Sequence, residues 1–188
     1  MTVIRVAGLD GSKANFGISL LNLDLATSKM AVTDLILIET RKTTNKQVRA
    51  SSDNLRRAQE IAIILRHALK DCTCAFLEVP YGGQSASAAQ AFGTVIGLYA
   101  SITIPVVEVS PTEAKLASVG SKQATKDQMM EWAITEYPSA QWKTNIRKGV
   151  EYYSKKNEHL ADSVAIAHAG LQVPSFQQTL AILAANGG

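Results

Sequence analysis

Three runs near the start of the chain are apolar or alternate in polarity: residues 3–9 (VIRVAGL), 16–23 (FGISLLNL) and 31–39 (AVTDLILIE). Gly11, Ser12 and Asn15 separate the first two, and Ala26-Thr27-Ser28-Lys29 separates the second from the third. Short runs punctuated by turn-formers predict an antiparallel three-stranded meander. A polar, basic stretch over 40–52 follows. Leu55, Ala58, Ala62, Leu65 and Leu69 then recur at helical spacing and predict a helix from about Asp53 to Lys70.

The stretch CAFLEVPYGG, residues 74–83, reads as a buried strand followed by a turn, and leads into a helix over 86–100 that carries Gly93 and Gly97. A second buried strand spans 105–109. Ser110-Pro111-Thr112-Glu113 opens a short helix with a cap, a first-turn proline and an acid behind it. Helices are expected over 125–137, 157–171 and 174–185, with a polar loop over 138–156. The order βββαβαβα plus further helices predicts an α/β fold, a five-stranded mixed sheet with helices on both faces. Its first three strands are antiparallel, and the later ones run parallel to the first. With no linker or internal repeat, one domain over 1–188 is the simplest organisation.

Composition agrees: 188 residues, 46% hydrophobic and 19% charged, suit one globular domain with a real core. No run of about 18 apolar residues exists. Met1-Thr2-Val3-Ile4-Arg5 leads into a strand pattern rather than a signal peptide, so no membrane partner and a cytoplasmic location are expected. Cys72 and Cys74, one residue apart entering the buried strand, should share a face as reduced structural thiols. A zinc site would need further Cys or His at metal-binding spacing.

Charge changes the picture through its distribution. Most of the 19 basic residues fall in two segments: Arg41, Lys42, Lys46, Arg49, Arg56, Arg57, Arg66 and Lys70 in one, and Lys143, Arg147, Lys148, Lys155 and Lys156 in the other. Such clustering suits a polyanion, with nucleic acid the first candidate, although solvated helix faces can be equally basic.

The candidate chemistry starts from Glu78, a carboxylate almost at the end of a buried strand, where an isolated charge costs several kcal/mol. Asp10 closes the first strand. If the two strands are parallel neighbours, both acids emerge at the carboxyl edge of the sheet, where open α/β sheets place ligands. His159 and Asp162, three residues apart, share a helix face. His168 lies about 240° round that helix from Asp162 at ~100° per residue, and is read as structural. Asp10 could instead bond its own turn backbone, and His159 could cap or solvate its helix. Two carboxylates about 4 Å apart repel by roughly 4 kcal/mol at an effective dielectric near 20. A divalent cation reverses that sign, and Mg²⁺ prefers such oxygen-rich, water-sharing sites. A pair of such ions can activate a water and stabilise the leaving oxygen of a phosphodiester.

With those residues in place, the chain resembles the RuvC family of Holliday-junction resolvases, within the ribonuclease-H-like nucleases. Val6-Ala7-Gly8-Leu9-Asp10-Gly11-Ser12 resembles the family's opening strand, and Phe76-Leu77-Glu78-Val79-Pro80-Tyr81 its Glu strand with an aromatic residue three places on. Residues 109–129, with Thr112-Glu113-Ala114-Lys115 and Ala124-Thr125-Lys126-Asp127-Gln128, resemble the segment bearing two functional lysines. His159-Leu160-Ala161-Asp162 and the residues after it resemble the closing metal-binding helix.

The resemblance implies a ribonuclease-H-like fold and metal binding by Asp10, Glu78 and Asp162, with His159 as a fourth ligand or a proton carrier. It implies Mg²⁺, or Mn²⁺, as a pair of ions, and phosphate contacts by Lys115 and Lys126. Tyr81 would stack on bases opened at a branch, and the helix around Gly93 and Gly97 would form a two-fold homodimer. DNA contacts are further expected from Arg41, Lys42, Lys46 and Arg49, and from Lys143, Arg147 and Lys148 in the 138–156 loop. That loop is longer than the family usually shows, and its aromatics Trp142, Tyr152 and Tyr153 either touch DNA or cover the sheet. The family often has Asp-Pro-Gly where this chain has Asp10-Gly11-Ser12.

The leading expectation is a Mg²⁺-dependent crossover-junction endonuclease acting on four-way branched DNA. The alternatives are a nuclease of the same fold acting on structured RNA, and a catalytically silent nucleic-acid-binding module. No nucleotide cofactor is expected, since no Gly-x-x-x-x-Gly-Lys-Ser/Thr loop or dinucleotide glycine pattern occurs.

Overall fold

The computed structural model describes residues 3–83 and 85–186; the Met1-Thr2 start of the strand pattern lies outside them. In chain order the elements are β1 (Val3–Asp10), β2 (Asn15–Asp24), β3 (Met30–Glu39), α1 (Ala50–Ala68), β4 (Cys74–Leu77), α2 (Ala86–Ala100) and β5 (Val106–Glu108). They continue as α3 (Pro111–Ser118), α4 (Lys126–Glu136), β6 (Thr144–Arg147), β7 (Val150–Tyr153), α5 (Asn157–Gly170) and α6 (Pro174–Asn186). No helix among the described residues is long and apolar enough to cross a membrane.

The main sheet has the order β3-β2-β1-β4-β5, antiparallel from β3 to β1 and parallel from β1 to β5, as the strand pattern predicts. The Ser12 hydroxyl closes the β1–β2 hairpin by donating to the Asn15 carbonyl and accepting from its amide. β1 and β4 read as continuous apolar runs because both of their faces are covered. Ala7, Leu9, Ala75 and Leu77 pack with Ile61 and Leu65 of α1 and Leu98 and Tyr99 of α2. Val6, Cys74 and Phe76 face the other way, against Ala114, Met129, Ile166 and Phe176. Leu9 pairs with Leu77, so Asp10 and Glu78 stand one step beyond the last paired residues of adjacent parallel strands.

α5 is buried nearly all round and crosses the sheet at close range. Glycine makes this possible: a Cβ at Gly8 would collide with the Ser163 carbonyl, and one at Gly17 with the backbone of His159. Gly17 sits directly opposite Asp10 in the β1–β2 ladder. The missing side chain there brings His159 onto the end of β1.

Several expectations are corrected. The polar loop over 138–156 contains a hairpin, β6–β7, whose turn residues Lys148 and Gly149 both have positive φ (52° and 78°), the backbone of a tight primed turn. Trp142 is buried with Leu35, Ala133, Tyr137 and Leu160, and its indole N–H donates to the Tyr137 carbonyl, so it covers the sheet. Cys72 and Cys74 are free and buried but occupy opposite cores. Cys72 still belongs to the turn after α1, where strand alternation has not begun. The buried stripe of α1 is Arg57, Ile61, Leu65 and Ala68, whereas Leu55 is exposed. The guanidinium of Arg57 is spent on Thr40 and the Lys13 carbonyl, and that of Arg56 on Asp53 and Glu60.

Candidate active site

A cleft of about 400 Å³ opens at the carboxyl rim of the sheet, lined by Asp10, Glu78 and Asp162 together with Lys115, Thr125, Lys126, Met129 and Ile166. Each contributor is held by its own local device. Asp10 and Glu78 ride on the paired ends of β1 and β4. Lys115 follows a reciprocal cap in which Ser110 and Glu113 satisfy each other's backbone at the start of α3. Lys126 opens α4 behind a second such cap, Thr125 with Gln128. Asp162 lies one turn along α5 from His159.

His159 Nδ1 stands 2.9 Å from Asp10 Oδ2, and Nε2 stands 3.5 Å from Glu158 Oε1. The hydrogen bond to Asp10 holds the imidazole pKa above its usual value, against the opposing effect of burial. Glu158 Oε1 also lies 3.4 Å from Lys126 Nζ. Burial and the charge of Asp10 push the Glu78 carboxyl up to about 7, with Lys115 opposing. The same two causes push Asp162 up to about 7, with Lys126 and His159 opposing. The lysines therefore offset only part of the effect of burial and of Asp10 on these two acids.

Tyr99 is buried in the core beneath the ends of β1 and β4. Its hydroxyl donates to the Leu9 carbonyl at 3.4 Å, its ring meets Phe16 edge-on, and burial with the charges of Asp10 and Glu78 drives its pKa above the usual phenol range. Glu158 and Tyr99 escaped the sequence reading. Glu158 carries one visible signal, an acid in the first turn of a helix; Tyr99 is an aromatic on an apolar helix and carries none.

The remaining expected residues lie outside the cleft. Tyr81 is 78% exposed in the turn after Glu78. Arg41, Lys42, Lys46 and Arg49 are exposed between β3 and α1, and Lys143, Arg147 and Lys148 are exposed on the hairpin. Lys42 and Lys46 line a separate hollow of about 370 Å³, joined by Lys13, which the sequence reading passed over. His168 is structural, bonded to the Tyr137 hydroxyl and edge-on to Trp132.

Among the described residues, no group of three His, Cys, Asp or Glu side chains is close enough together to hold a metal ion as it stands. The donor set nonetheless fits a hard divalent cation: carboxylate oxygens on one cleft, mutually repelling, with room for the waters that Mg²⁺ retains.

Neither a family model nor a curated protein matches the chain. Solved structures do. RuvC of Thermus thermophilus in complex with a Holliday junction substrate superposes with a TM-score of 0.60 at 18% identity, over 88% of this chain and 92% of that one. The chain has the RuvC fold. Another T. thermophilus RuvC structure gives 0.56 at 18% identity over the same shares. The fowlpox virus resolvase, in complex with substrate Holliday junction DNA, gives 0.53 at 15% identity, over 94% of this chain and 99% of that one. The RuvC fold accounts for the mixed five-stranded sheet and the helices packed on it.

Proposed function

We propose that the chain is a divalent-cation-dependent endodeoxyribonuclease that resolves four-way branched DNA by phosphodiester hydrolysis. One observation carries the reading: acids at the ends of β1 and β4 and on α5 share one cleft with two lysines, and burial together with the charge of Asp10 pushes two of those acids up to about 7. Two proteins that share the fold, T. thermophilus RuvC and the fowlpox virus resolvase, were each solved with Holliday junction DNA, which supports the substrate. A silent binding module would need only the basic surface and gains nothing from crowding carboxylates at this cost.

Asp10, Glu78 and Asp162 would hold a pair of Mg²⁺ or Mn²⁺ ions, supplying charge neutralisation, an activated water and stabilisation of the leaving oxygen. Lys115 and Lys126 bind phosphate oxygens of the scissile strand from the α3 and α4 side. His159 keeps Asp10 oriented through Nδ1 and carries the proton needed by the leaving 3′ oxygen, a role its raised pKa supports. Tyr81, free at the turn, stacks on an opened base. The basic 41–49 segment and the hairpin lysines hold duplex arms, so affinity falls steeply with salt.

The outer groove of α1 and α2, about 450 Å³ and lined by Leu55, Ala58, Ala62, Gly93 and Gly97, supports a homodimer contact. A two-fold pair of clefts matches the two-fold symmetry of a four-way junction. The chain works as one nuclease domain, and its reduced, buried thiols support a cytoplasmic location.

The test is cleavage of a labelled four-way junction, a matched linear duplex and a structured RNA, each with magnesium or EDTA. Nicking of the junction that depends on magnesium and is lost in Asp10→Asn and Glu78→Gln, with binding retained, is expected. Cleavage that persists in both variants, or preference for the RNA, overturns the reading.

A further inference from the structure

We propose that the β6–β7 hairpin is a second reading element for nucleic acid, a wedge whose aliphatic tip packs against bases opened at a branch while its basic residues hold the flanking phosphates. The inference rests on the endonuclease reading above and extends it to an element that the cleft does not use.

The root of the hairpin is fixed. Asn157, fully buried, accepts from the Lys143 amide and donates to the Lys143 carbonyl, both at 2.9 Å. The Ser154 amide donates to that same carbonyl, and Lys156 pairs with Glu39 at 2.6 Å. Asn157 is the first residue of α5, two positions before His159, so the clamp that holds the hairpin is continuous with the rim of the cleft. The tip is equally set, because Lys148 and Gly149 form a two-residue turn whose twist matches that of its strands.

What this rigid element presents is unusual for a surface hairpin. Ile146 is 76% exposed and Val150 67%, and no core residue covers them. Directly opposed residues share a face of an antiparallel ribbon. Ile146 opposes Glu151 and Arg147 opposes Val150, so each face of the tip carries one bare aliphatic side chain. Lys143, Arg147 and Lys148 surround them, against Glu151 alone as an acid. A protein partner or a second copy would also bury the aliphatics, but that cationic frame fits a polyanion. A two-stranded ribbon is narrow enough for a B-DNA major groove about 12 Å wide, and its four-residue strands span about 13 Å. Aliphatic wedges between base steps are an established means of holding distorted duplexes.

The test is the double variant Ile146→Thr/Val150→Thr, which keeps β-branched residues and hence the strand preference of the hairpin. Binding in EDTA to a four-way junction carrying 2-aminopurine at the crossover is compared with binding to a matched linear duplex. The branched-over-linear affinity ratio should fall severalfold as the aliphatic contact with the opened bases is lost. The fluorescence rise at the crossover should be lost, with affinity for linear duplex unchanged. Lys148→Ala should weaken both substrates alike and lower the salt slope by about one. If the double variant keeps the native ratio and fluorescence, the wedge is wrong while the endonuclease reading stands. If the native chain binds neither DNA, both fall. If the double variant instead converts dimers to monomers in sedimentation, the tip is a self-association surface and the inference is overturned.

Discussion

His159 Nδ1 lies 2.9 Å from Asp10 Oδ2, tying the helix that crosses the sheet to the end of its central strand. On the proposed reading, the contact would give His159 two separable duties, orienting Asp10 and carrying a proton. His159→Ala should slow single-turnover cleavage by about 10²–10⁴-fold, the range of a lost general acid. His159→Asn, which can still donate to Asp10, should share the rate loss but keep the native cation affinity, measured by titrating Mn²⁺.

Glu158 faces both His159 and Lys126 across the mouth of the cleft. Its charge helps to raise the imidazole pKa and occupies the lysine. Glu158→Gln should lower the pKa of His159, followed by the shifts of its ring protons in NMR, and should strengthen DNA binding severalfold by releasing Lys126.

The raised carboxyl pKa values make the cation-free protein sensitive to pH. Asp162 is pushed from an ordinary 3.8 to about 7, so between those values the folded state binds more protons than the unfolded one. Stability should therefore fall as pH rises from about 4 towards 7 and then level off. Asp162→Asn should reduce that slope, leaving the share of Glu78, and gain on the order of 2 kcal/mol at neutral pH, after allowance for screening. That corresponds to about 4–8 °C in a thermal scan. Saturating Mg²⁺ should flatten the slope in the native protein as well.

Gly17 lets the backbone of α5 approach β2 opposite Asp10, with no space for a Cβ. Gly17→Ala should cost about 1–3 kcal/mol by overpacking, and should reduce cleavage by displacing His159. Gly93 has no atom within 4 Å of where its Cβ would fall. Gly93→Ala should stabilise the monomer by about 0.5–1 kcal/mol through helix propensity. Denaturant unfolding with parallel cleavage assays separates the two.

Trp142 and Tyr152, two aromatics of the 138–156 segment, have opposite surroundings. Trp142→Ala should destabilise by about 3–5 kcal/mol, the range for emptying a buried aromatic site. Tyr152, 47% exposed on the hairpin, should unfold as the native protein does when replaced by Ala. Thermal denaturation checks both.

The residues that sequence pattern exposed most clearly are acids that interrupt apolar runs. Asp10 and Glu78 stand at strand ends where burial makes a charge conspicuous, and Asp162 interrupts the alanine-rich, largely buried part of α5. Partners that break no pattern stayed hidden, as with Tyr99 on an apolar helix. The β6–β7 hairpin escapes sequence pattern because both of its faces meet solvent, so no two-residue alternation marks it. Of the expected α1 stripe, Leu65 and Leu69 lie in the core and Ala62 packs against it, but Leu55 faces the open groove, because the helix carries a second apolar face while its core face hides a satisfied arginine. Cys72 was misplaced for the lack of any signal showing where the turn ended and the strand began.

The glycine-cradled helix has a consequence for how the protein comes into being. Its carboxylate, Asp162, is contributed from far along the polypeptide, so a nascent chain that has finished its five-stranded sheet still lacks one wall of the cleft. On the proposed reading, competence to cleave would come only once residues 157–170 have been made and have docked.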